Sequence, residues 1–144
     1  MAKETLETKI IFALPRLLKR LFGKEGRVRI KKGSLDRESV RRDWQQIEEK
    51  MSLNNPSAFQ SAVLSADKLL DYCLKELGAS GETMGERLKN GQSLFVDDGS
   101  YQAAWEGHKQ RNRLVHEHNA DFMHYEARDA ISKFKEALKG LSAL

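Results

Sequence analysis

The strongest constraint on the fold is an apolar stripe on residues 56–77. Phe59, Ala62, Val63, Ala66, Leu69, Leu70, Cys73, Leu74 and Leu77 recur at the three- and four-residue steps of an α-helix. Pro56 suits the first turn of such a helix and Gly78 its C-terminal stop. A stripe this broad has to be covered by other elements of the chain. With Gly 10, Pro 2 and few β-branched residues, those elements are expected to be helices too.

They can be read off in order. Residues 35–51 form a helix with Ser34 as N-cap and Val40, Trp44, Ile47 and Met51 on its buried face. Asn54, Asn55 and Pro56 end it and open the next. A short helix is expected at 82–89, then a polar loop through Asp97, Asp98 and Gly99. Ser100 caps a helix running to His116, and Asp121 begins the last, which runs to Leu141. That last helix turns Phe122, Tyr125, Ala130, Ile131, Phe134, Ala137, Leu138 and Leu141 inward. The expected fold is all-α, an up-and-down four-helix bundle over residues 34–144 with an additional N-terminal amphipathic helix.

That appendage occupies residues 1–33. Ile10, Ile11, Leu14, Leu17, Leu18 and Leu21 keep helical spacing over 5–22, with Lys9, Arg16, Lys19 and Arg20 largely off the stripe. Pro15 predicts a kink or break near Leu14. Three destinations are open to the apolar face: a membrane surface, the bundle, or a partner chain, with protein the better fit. Gly23 to Gly33 is a basic connector in which Val28 and Ile30 alternate as in a short strand.

Charge is unevenly placed. Residues 16–42 carry net +8 within a chain of net +4, leaving residues 43–144 at −4. A basic end on a mildly acidic body suits contact with a polyanion, RNA or anionic lipid, although a solvated linker has the same composition. The apolar run from Ile10 stops at Arg16, short of the roughly 20 residues a membrane span needs. No secretory signal is recognisable, and the single cysteine cannot close an internal disulfide. A cytoplasmic protein is expected, with a peripheral place on the inner membrane face open to residues 5–32.

Chemistry concentrates in residues 105–117. Ala104, His108, Arg111 and Val115 share one helical face, which puts Arg111 in the middle of a side that should turn inward. A guanidinium keeps its charge and is rarely buried without an anion. Asp67, on the apolar helix, can supply a carboxylate as a supporting ion pair; a phosphate in a cleft is the other partner open to it. Asn112 and His116 stack four apart, with Trp105 and His108 further back along a similar line. Arg111 and His116, five apart, diverge by about 140° on an ideal helix. A second copy of the chain would bring the two together.

Arg111-Asn112-Arg113-Leu114-Val115-His116 resembles the Arg-X4-6-His signature of HEPN proteins, in the form with Asn after Arg. The resemblance covers about residues 35–141. It implies a homodimer with two motif copies facing across a cleft, and in many members a ribonuclease that needs no metal. Other members keep the bundle as a binding or scaffold module. By this resemblance Arg111, Asn112 and His116 are catalytic. His116 acts as general base on a ribose 2′-hydroxyl or general acid on the leaving oxygen, Arg111 stabilises phosphate charge, and Asn112 orients phosphate or histidine. Trp105, His108 and Arg113 are expected to bind substrate. An antitoxin or other protein partner is implied if the chain belongs to a toxin–antitoxin or defence system.

Other chemistries lack their residues. His116, His118 and His124 have no cysteine or tight acidic set to complete a metal site, and no cofactor is expected. Asp97-Asp98-Gly99 reads as a turn, since the alternating acids of a calcium loop are missing. Gly78-Ala79-Ser80-Gly81 lacks the lysine of a phosphate-cradling loop, and there is no serine hydrolase elbow. Cys73 reads as a small core residue.

Overall fold

The computed structural model describes residues 33–117 and 120–144, and of 120–122 the backbone alone. The expected N-terminal helix and connector therefore lie outside the described residues, as do the side chains of His118, Asp121 and Phe122. Among the described residues the fold is all-helical. It comprises α1 (Arg37–Ser52), α2 (Pro56–Glu76), the short α3 (Met84–Asn90), a single 3-10 turn (Gln92–Leu94), α4 (Asp98–Leu114) and α5 (Ala120–Gly140).

Local chemistry explains each boundary. Asp36, rather than Ser34, caps α1: its Oδ1 accepts from the Glu38 and Ser39 amides, each at 3.1 Å. Asn55 caps α2 through the Ala58 amide at 2.9 Å, and Pro56 follows where no amide hydrogen is needed. Past its C-terminus, Gly78 takes a left-handed φ of 96°, a conformation that costs glycine little. Thr83 and Glu86 close a reciprocal capping box on α3. At α4 the cap is Asp97, not Ser100. The Asp97 carboxylate accepts from the Ser100 amide at 2.7 Å, so Ser100 already lies in the first turn. The helix ends at Leu114, two residues before His116.

The four long helices alternate in direction. Lys50 reaches Ser65 from α1 to α2, and Asp67 on α2 meets His108 on α4 while Gln60 meets the Leu114 carbonyl. Rising numbers on one helix therefore face falling numbers on its neighbour. Glu106 pairs with Lys133 and Gln110 with Asp129 between α4 and α5 in the same antiparallel sense. The cross-link between Glu48 and Lys135 (3.0 Å) ties α1 to α5.

The core lies between these helices. Val63, Leu70, Cys73 and Leu74 of α2 meet Val40 of α1 and Phe134 and Leu138 of α5, and all are sealed from solvent. Each such leucine or phenylalanine contributes about 1.5–3 kcal/mol relative to an exposed one. Gly107 lets α5 come close to α4: a Cβ there would stand 3.1 Å from the Phe134 ring. At Gly33 a Cβ would overlap the Glu76 carbonyl, so the start of the described chain is pressed against the end of α2. Tyr125, expected inward, is 76% exposed, while Met123 and Ala127 occupy the buried positions beside it.

Arg87 of α3 anchors that short helix to α2. Its Nε and Nη2 donate to the two oxygens of Asp71 at 2.5 and 3.0 Å, and Nη1 donates to the Gly81 carbonyl at 2.6 Å. Burial alone would raise the Asp71 pKa, but hydrogen bonds and charge from Arg87 and Lys75 outweigh it and hold the carboxyl below its usual range. A depressed carboxyl contributes stability above its ordinary pKa, and that contribution is lost as pH falls through the folded value. Arg87→Met is expected to cost on the order of 3 kcal/mol at neutral pH in urea unfolding. The gap to wild type should narrow below about pH 4 as Asp71 protonates in both proteins.

Cys73 is fully buried in α2, and desolvation, with smaller effects of Asp43 and Glu76, pushes its thiol up to about 12. Thiolate is the reactive form. Iodoacetamide should leave Cys73 unmodified in the native protein at pH 8 and alkylate it fully in urea, as read by mass spectrometry.

Candidate functional site

The seam between α2 and α4 carries a polar line beside the apolar stripe. Gln60, Asp67 and Asp71 lie at helical spacing on α2 and each engages a neighbouring element. Gln60 Nε2 donates to the Leu114 carbonyl at 3.2 Å, satisfying one of the free acceptors at the end of α4.

Asp67 is the centre of the line. It is 7% exposed, and its two oxygens have different partners on α4. Oδ1 lies 2.8 Å from His108 Nδ1, and Oδ2 lies 3.6 Å from Arg111 Nε. An ionised carboxylate only accepts, so Nδ1 of His108 carries the hydrogen and a neutral ring presents Nε2 as the acceptor. At 3.6 Å the Arg111 contact is an ion pair without a hydrogen bond, and Nε is buried with no acceptor in bonding range. The guanidinium tip behaves differently: Nη1 donates to Asn112 Oδ1 at 2.8 Å, and the side chain is 33% exposed.

The supporting ion pair of Asp67 with Arg111 is thus present, and Asp67 serves His108 as well. Asn112 is brought to Arg111. Trp105 is half-buried, set edge-on to Tyr101 with ring centroids 6.4 Å apart and against Gly85 of α3. Arg113 lies largely in solvent, 3.8 Å from Glu126 of α5. His116 is not brought to Arg111. It is exposed beyond the helix end, its amide bonded to the Arg113 carbonyl at 3.2 Å, and no hydrogen bond joins its imidazole to another described residue. Val115, on the face that should turn inward, is 43% exposed because α4 stops before it.

Spacing along α4 did not disclose the role of His108 as a partner of Asp67, nor that of Gln60. The signal available was the polar line Gln60–Asp67–Asp71 on an otherwise apolar helix, which marks where α4 and α3 must supply donors. Among the described residues no three histidine, cysteine or acidic side chains converge in a way that would hold a metal, and no helix is long and apolar enough to cross a membrane.

Comparison with protein-family models, curated proteins and solved structures returned no match.

The three groups of the seam should be energetically coupled. In a double-mutant cycle of Asp67→Ala and His108→Ala, the interaction free energy measured by urea unfolding is expected at about 1–2 kcal/mol. Additive single effects would show that the pair contributes nothing.

Proposed function

We propose that this protein is a metal-independent RNA endonuclease of HEPN type that acts as a homodimer. The observation that carries this reading is the contrast between the two arginines that meet the acids of the polar line. Arg87 is what a structural arginine looks like in this molecule: bidentate to a carboxylate, bonded again to a carbonyl, and 9% exposed. Arg111 meets its carboxylate only at Nε, by charge and without a hydrogen bond, and its part-exposed tip has one hydrogen bond, from Nη1 to the neighbouring Asn112. A planar cation held at its root with donors available at its tip suits a phosphodiester oxygen.

The reaction follows from these groups. A ribose 2′-oxygen attacks the adjacent phosphorus, the 5′-oxygen leaves, and a 2′,3′-cyclic phosphate results. Arg111 stabilises the charge growing on the phosphoryl oxygens and Asn112 holds the guanidinium in place. His116 transfers a proton at one end of the reaction. Since His116 stands away from Arg111 in one chain, a second copy completes the pocket. Leu53, Val115 and Tyr125, all large and exposed at the same end as the motif, offer apolar surface for that copy. A cytoplasmic toxin or defence effector with a protein inhibitor is the setting such an activity implies.

A second reading has its own observation. Arg111 is turned toward an internal acid and His116 has no described partner, as in a bundle that keeps the motif but serves as a scaffold. The residues 5–32 would then carry binding, to a partner or an anionic membrane surface.

Cleavage of total RNA by the full chain in EDTA separates the two. Under the nuclease reading the wild type cuts, and Arg111→Ala and His116→Ala each lose at least about 100-fold in rate with unchanged circular dichroism. A folded wild type that leaves RNA intact favours the scaffold.

A further inference from the structure

We propose that His108, oriented by Asp67, is the general base of this site, which leaves His116 as the acid; the assignment rests on the nuclease reading above. Proton transfer at a neutral centre needs an imidazole with a defined tautomer, a free acceptor nitrogen and a nearby charge to hold the phosphate. Only one of the described histidines meets all three conditions within a single chain. His108 gives Nδ1 to a buried carboxylate at 2.8 Å, which directs the lone pair to Nε2. Nε2 is bonded to no described residue, and the side chain retains 18% exposure, so the acceptor is reachable. Arg111 shares the same carboxylate and lies one helical turn further along α4.

The groups facing the imidazole are few. From α2 the charged partner is Asp67, whose other carboxylate oxygen faces Arg111 of α4. His116, exposed past the end of α4, has no acid to orient it among the described residues.

In the step so assigned, Nε2 of His108 takes the proton of the 2′-hydroxyl as the 2′-oxygen bonds to phosphorus. The bond from phosphorus to the 5′-oxygen breaks, and that oxygen receives a proton from protonated His116. One proton is gained by His108 and one lost by His116, and exchange with water resets both. Asp67 is a positioning residue here, acting through the ring.

The test is the pH–rate profile of cleavage of a fluorescent RNA in EDTA by the full-length protein. His108→Gln is expected to lower kcat at least about 100-fold and to remove the ascending, base-dependent limb. His116→Gln should lower kcat and remove the descending limb instead. If His108→Gln does not fold, His108→Asn, whose amide can still donate to Asp67, carries the same comparison. A His108 variant that keeps both limbs and cleaves within about tenfold of wild type overturns the assignment while Arg111→Ala and His116→Gln still report a nuclease. A wild type that cuts no RNA overturns the nuclease reading and this assignment together.

Discussion

A buried carboxylate on the best-packed helix sets the terms for everything around it. Asp67 sits within one turn of Val63 and Leu70, both sealed from water, and cannot hold its charge there without donors. Those donors come from α4, and they arrive only if α2 and α4 run antiparallel at one register. A slip of a single residue on α4 would take His108 off the carboxylate and leave a charge in the core. The ion pair is therefore weak evidence for stability and better evidence for register. The same logic repeats one turn along α2, where Asp71 draws in Arg87 and with it the whole of α3.

Legibility in the sequence followed the length of the pattern. Helix α2 was readable almost to the residue because its stripe runs unbroken for six turns between Pro56 and Gly78. The starts of α1 and α4 were displaced because each offers several capping residues in a row. Ser34 and Asp36, or Asp97 and Ser100, are all competent in isolation, and the choice falls to the carboxylate that meets first-turn amides once the helix is packed, two for Asp36 and one for Asp97. The end of α4 was the harder case. Its apolar periodicity continues through Val115, yet the His116 and Glu117 amides turn back to the Arg113 and Leu114 carbonyls, and Gln60 of α2 also bonds the Leu114 carbonyl where the helix ends. No local signal in residues 105–117 reports a cap supplied from fifty residues away.

The candidate site divides along the same line. That Arg111 requires an anion is a property of one side chain, and Asp67 could be named from its place on α2. That His108 shares the carboxylate is a property of two helices in contact, which spacing along α4 alone does not contain. Tyr125 shows the converse. It follows the apolar rhythm of α5 but stands at the edge of the buried stripe, near an end of the molecule where no described element covers it.

The position of the motif at the C-terminus of α4 imposes a further condition. The free carbonyls of a helix end carry partial negative charge and repel a phosphate. In this structure that charge is answered on several sides. Gln60 bonds the Leu114 carbonyl, the Val115 and His116 amides bond those of Arg111 and Arg113, and both arginines lie in the last turn. With the carbonyls engaged inside the molecule, the guanidinium of Arg111 presents its charge outward with less internal opposition. A symmetric dimer built on this end would bring two such helix termini together, doubling the repulsion among them. The Arg111 side chains of the two copies would then face one pocket, and an anion between them would hold the assembly closed. Substrate binding and dimerisation would be linked through the same charges, each favouring the other.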